Sequence, residues 1–157
     1  MNKFIYTLLI LFLTIQSIAL AHCQVPCGIY DDAWRIVQIK EDFKTIRKAM
    51  DQISQLSEKT DPLSNNQLTR WVITKEQHAT NIQEIVSEYF LTQRIKTNKS
   101  KNYIDQTTTL HQVLVSAMKC KQTVDDRNID QGIQLVDTFV GYYFDSHGLD
   151  HLKKLSE

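Results

Sequence analysis

Residues 32–56 read DAWRIVQIKEDFKTIRKAMDQISQL, and the fold class follows from where the apolar side chains fall in that stretch. Ile36, Ile39, Phe43, Ile46, Met50 and Ile53 recur at alternating spacings of three and four, which lays one apolar stripe along a helix from about Asp32 to Leu56. Asp31 or Asp32 is suited to cap its start. Proline at position 62 pushes Asp61 out of the α region, so the helix ends before it.

Downstream the same pattern repeats. Ser64-Asn65-Asn66-Gln67 has the form of a capping box, and Leu68, Trp71, Val72, Ala79, Ile82, Val86, Tyr89 and Phe90 follow on a second helix. That helix fades in the polar residues 97–101, and Tyr103, Thr107, Leu110, Leu114, Ala117 and Met118 mark a third. A fourth runs from about Arg127, with Ile129, Ile133, Val136, Val140 and Tyr143 inward and residues 145–148 as its stop. Four amphipathic helices on short connections predict an all-α, antiparallel four-helix bundle over residues 31–157. With four Gly and two Pro in 157 residues, a turn-rich β fold is disfavoured. Adjacent aromatics on one helix cannot both point inward, so one member of Tyr89-Phe90 and one of Tyr142-Tyr143 is expected to face out.

Upstream the chain changes character. Lys3, the apolar run from Phe4 to Leu13 and the small residues of Ala19-Leu20-Ala21 form a cleavable signal segment over residues 1–21. Thr14, Gln16 and Ser17 interrupt the run, which falls short of the roughly 20 apolar residues a membrane span needs. Lipidation at Cys23 would want a small residue before it, and His22 stands there. The chain is therefore expected to be exported, to a periplasmic or extracellular space or an organellar lumen, with no stable membrane association after cleavage. The 136 residues left suffice for one domain. Basic and acidic residues balance at 18 each over the whole chain, which gives nucleic acid no footing.

A cut after Ala21 makes His22 the first residue and frees an α-amine beside an imidazole, a backbone amide and the thiols of Cys23 and Cys27. These donors could serve Zn, Cu or Ni. A four-ligand zinc site usually takes paired spacings from two segments, and there is no second pair here. Amine and amide nitrogens with thiolates make a square plane suited to Ni(II) or Cu(II). Thiolates favour reduction of Cu(II), which leaves Ni(II) the better fit. The same two cysteines taken alone could form a disulfide closing a small loop on an exported helical module, and a non-catalytic Ni or Cu carrier would use the same chelate. Cys120 reads as a half-buried structural thiol, His111 as a hydrogen-bonded core histidine, and His147 and His151 as exposed tail residues. Asn98-Lys99-Ser100 is a formal glycosylation sequon.

The run HCQVPCGIYDD at residues 22–32 resembles the hook of nickel-containing superoxide dismutases, whose pattern at the mature N-terminus is HCxxPCGxY; every fixed position is filled. The resemblance continues through Lys75-Glu76-Gln77, Tyr89-Phe90 and Leu110-His111-Gln112. It implies conversion of superoxide to oxygen and hydrogen peroxide with a nickel ion at residues 22–30, on a homohexamer of four-helix bundles. It implies metal ligation by His22 through α-amine and imidazole, by Cys23 through backbone amide and thiolate, and by Cys27 through a second thiolate. Pro26 and Gly28 would shape the turn, and Tyr30 and Tyr89 would be the catalytic-pocket tyrosines. Gln24 stands where the family often has aspartate, and His78 where an arginine is expected. The glutamate that bonds the axial imidazole has no clean match, and Gln38 and Glu41 lie within reach of it.

Overall fold

A computed structural model of the chain describes residues 31–156; the expected signal segment and hook, residues 1–30, lie outside the described residues. Helix α1 spans Asp32–Leu56, and the Asp31 carboxylate caps it by accepting the Trp34 amide at 2.9 Å. Its buried face carries Ala33, Ile36, Ile39, Phe43, Ile46, Ala49 and Met50, the expected stripe, with Ile53 only half-buried. Helix α2 spans Pro62–Glu84. It begins before the expected capping box, because Pro62 occupies the first turn and Asp61, extended at φ −71 and ψ 153, accepts the Ser64 amide at 3.0 Å. The proline that ends one helix therefore also starts the next.

Without a break α2 passes into a π-helical segment, Ile85–Arg94, which stops where the Ile95 amide donates to the Phe90 carbonyl at 2.9 Å. The expectation that Tyr89 or Phe90 faces outward fails here: both are buried, their rings edge to face at 5.1 Å. Hydrogen bonding from i to i+5 widens the turn and draws successive side chains closer in angle, so neighbours can share the core. For Tyr142-Tyr143 the expectation holds, with Tyr142 exposed and Tyr143 half-buried.

Helix α3 spans Tyr103–Gln122 and α4 spans Arg127–Tyr143. α1 packs on α2, α2 on α3, α3 on α4, and α4 returns to α1, closing the four-helix ring. Two residues of α3 differ from the reading of the sequence. His111 is exposed and not a core histidine, and Met118 is exposed, because the buried face runs through Gln106, Leu110, Val113, Ala117 and Cys120. Cys120 is fully buried, and burial pushes its thiol up to about 11, so it is inert at neutral pH.

The stop expected at residues 145–148 holds, since α4 ends at Tyr143, but the same residues also start another helix. Asp145 accepts the Gly148 amide at 2.8 Å, and α5, Ser146–Ser156, folds back onto α1 with Leu152 buried. His151 is half-exposed there, 3.4 Å from the Asp31 carboxylate, and His147 is exposed.

Lys75 ties α2 to α3. Only 4 % exposed, its ammonium donates to the Cys120 carbonyl at 2.8 Å and to the Lys121 carbonyl, two of the acceptors that the last turn of α3 cannot satisfy internally. Glu76 pairs with it at 3.0 Å. Replacing Lys75 by Met should destabilise the bundle by about 2 kcal/mol or more, read in a denaturant titration. A close approach sets a second limit: a Cβ on Gly132 would lie 2.3 Å from the Phe43 Cζ, so Gly132→Ala should cost about 1–3 kcal/mol in the same titration.

Candidate functional site at the root of α1

Asp31 and Asp32 open α1 directly after Tyr30 in the sequence. Asp31 spends its carboxylate on the cap, which leaves Asp32 free to reach sideways across the end of the bundle. The Oδ1 of Asp32 accepts the Tyr89 hydroxyl at 2.5 Å. The Oδ2 accepts the Tyr143 hydroxyl at 2.8 Å and the Arg94 guanidinium Nη2 at 2.7 Å. The Tyr143 ring stacks on Phe139 at 5.0 Å and meets Phe90 edge to face at 5.7 Å, so its phenol is set by core packing. The Arg35 guanidinium lies over the Tyr89 ring, 5.1 Å from its centre.

The π-helical segment is what brings two of these partners together. In an α-helix, residues five apart point about 140° away from each other; i to i+5 bonding narrows that angle, and Tyr89 and Arg94 both reach one carboxylate. Burial pulls the Asp32 carboxyl up, but the bonds from Arg94, Tyr89 and Tyr143 outweigh it and hold it below the usual carboxylate range. Burial first, and then the bond to Asp32, push the Tyr89 and Tyr143 phenols well above their ordinary value. Both phenols are thus protonated donors at neutral pH.

Of the residues singled out from the sequence, His22, Cys23, Cys27 and Tyr30 lie outside the described residues, and Tyr89 is at the centre of this cluster. The three expected neighbours of the axial histidine have other partners. His78 Nδ1 meets the Asp42 carboxylate at 2.5 Å, Glu41 pairs with Lys44 at 2.6 Å, and Gln38 accepts from Arg35 at 2.9 Å. Burial lifts the Asp42 carboxyl above its usual value even against the bond from His78. A cleft of about 410 Å³ beside it is lined by Trp34, Gln38, Glu41, Asp42, Asn81 and Glu84, among others. Asp32 and Arg94 were not marked by sequence reasoning, and Tyr143 was read as core. The one available signal was the doubled Asp after the tyrosine, since one cap needs only one of them.

Among the described residues no group of three or more His, Cys, Asp or Glu could hold a metal, and no helix is long and apolar enough to cross a membrane. The folded phenols keep their protons longer than unfolded ones, so the clamp contributes fully below the unfolded phenol value of about 10 and is lost as pH rises through the folded values. Thermal midpoints of metal-free protein should therefore fall with alkalinity above about pH 10 more steeply than those of Tyr143→Phe. Compared with protein families, the chain matches the model described as nickel-containing superoxide dismutase over residues 17–147. No curated protein and no solved structure matches.

Proposed function

Because the chain belongs to the nickel-containing superoxide dismutase family, an oxidoreductase family whose metal is nickel and whose substrate is superoxide, we propose that its nickel is held by His22, Cys23 and Cys27 after cleavage behind Ala21. The observation that carries this is the donor set itself. Two thiols, an imidazole and a freed α-amine stand within six residues, in the order HCQVPCG, inside the matched region. The third cysteine does not compete, since Cys120 is buried in the core with its thiol raised to about 11. Thiolates, an amide nitrogen and an amine fit nickel better than a harder oxygen set would.

When bound, nickel supplies the one-electron exchange of dismutation, one superoxide losing an electron to become oxygen and the next gaining one to leave as peroxide. The side chains supply the rest. Peroxide needs two protons, and the phenol of Tyr30, three residues past Cys27, would orient the anion and hand one over. Tyr89 donates its hydroxyl hydrogen to Asp32 and would serve, as the resemblance implies, as the second pocket tyrosine. Pro26 and Gly28 would shape the turn on either side of Cys27.

The expected assembly is a homohexamer. Leu63, Val72, Ile73 and Ile104 stand exposed on α2 and α3 and supply apolar surface for contact between copies. The expected compartment is outside the cytoplasm, reached through residues 1–21.

Protein made to start at His22 should bind nickel and remove superoxide, while the same protein with one alanine added ahead of His22 should fold identically and lose activity. Full activity in the extended protein would refute ligation by the α-amine. Cys120→Ala should keep nickel content and rate unchanged and lower only the melting temperature, checked by metal analysis beside a thermal melt.

A further inference from the structure

We propose that Asp32 is a positioning residue for this dismutase activity, holding Tyr89 and the first turn of α1 in one fixed arrangement. The inference rests on the hook reading above and goes beyond it, since it assigns a task to a residue outside the motif.

Four observations carry it. First, Asp32 is two residues past Tyr30, and two peptide units reach at most about 7 Å, so fixing Asp32 confines the tyrosine and the loop it closes. Second, the carboxylate joins three separate elements: the π segment through Tyr89 and Arg94, α4 through Tyr143, and α1 through its own backbone. Third, both of its oxygens accept, one from a phenol and the other from a phenol and a guanidinium, so the side chain has a single well-determined orientation. Fourth, Asp32 is not needed as the helix cap, because Asp31 already accepts the Trp34 amide. A carboxylate needed only for helix stability would be redundant here. One that draws three elements onto the first turn of α1 holds the root of whatever precedes it.

The π segment gives the arrangement its second half. Ten residues of i to i+5 geometry line up Tyr89 and Arg94 on one carboxylate, and such segments recur where an ordinary helix would misplace a functional side chain. Asp32 therefore sets the Tyr89 hydroxyl, whose hydrogen is directed at Oδ1.

The test uses nickel-loaded protein beginning at His22, in wild-type form and as Asp32→Asn, Tyr143→Phe and His22→Ala. Asp32→Asn keeps the shape and removes the charge. Its turnover at saturating superoxide should fall about tenfold with nickel content retained, as expected when a reacting group is displaced without being lost. A spectrophotometric titration of the metal-free proteins supplies a readout that a merely stabilising residue would not move. In Asp32→Asn, two phenols should ionise about one pH unit or more below their wild-type position. If Asp32→Asn does not fold, Tyr143→Phe carries the same comparison, with a smaller drop in turnover and one displaced phenol. Wild-type turnover and unshifted phenols in a folded Asp32→Asn protein overturn the proposal. His22→Ala separates it from the reading it rests on. An inactive His22→Ala beside a fully active Asp32→Asn defeats the role of Asp32 alone, whereas an active His22→Ala defeats the hook and the positioning role with it.

Discussion

The carboxylate of Asp32 is taken largely out of water at the end of a helical bundle, and a charge in that position must be matched or it costs on the order of several kcal/mol. The way it is matched organises that end of the molecule. A guanidinium from the π segment neutralises it, two phenols fill its remaining lone pairs, and the aromatic rings behind those phenols are part of the core. Because the partners sit on different elements, the pairing also sets how α1, α2 and α4 meet. Midway along α2 the same logic operates with the sign reversed, where a buried ammonium, Lys75, serves the carbonyls that end α3.

Among the described residues the bundle holds no group of three or more His, Cys, Asp or Glu side chains that could bind a metal. What it contributes is a carboxylate that orients two phenols at the start of α1, and an outer surface with exposed aliphatic side chains on α2 and α3. The family's nickel chemistry asks little more of a scaffold than position, proton supply and shelter for the thiolates.

How much of this could be read from the sequence depended on the range of the interaction concerned. The stripe in residues 32–56 fixed α1 to the residue, since periodic burial is a local property of the helix. Helix α5 went unseen because its signal, Leu149, Leu152 and Leu155 behind an Asp145 cap, is only eleven residues long and contains Gly148. The π segment could not be read at all. Nothing in IVSEYFLTQR departs from an α-helical pattern, and the wider turn serves partners that are distant in sequence. The family was legible in the sequence because its motif residues are adjacent. The Asp32 cluster was not, because Tyr89, Arg94 and Tyr143 lie 57, 62 and 111 residues from the aspartate they share. His111 shows the converse error. Its apolar neighbours suggested the core, and a small change in helix phase puts it in solvent.

The central claim, that nickel sits on the first six residues of the processed chain, can be put to one direct measurement. X-ray absorption at the nickel edge of reconstituted protein beginning at His22 counts the sulfur atoms bound to the metal. Two sulfur scatterers with the rest nitrogen, falling to one in Cys27→Ser and unchanged in Cys120→Ala, is the result the donor set requires. A nickel shell without sulfur, or one that keeps both sulfurs when Cys27 is replaced, would contradict it.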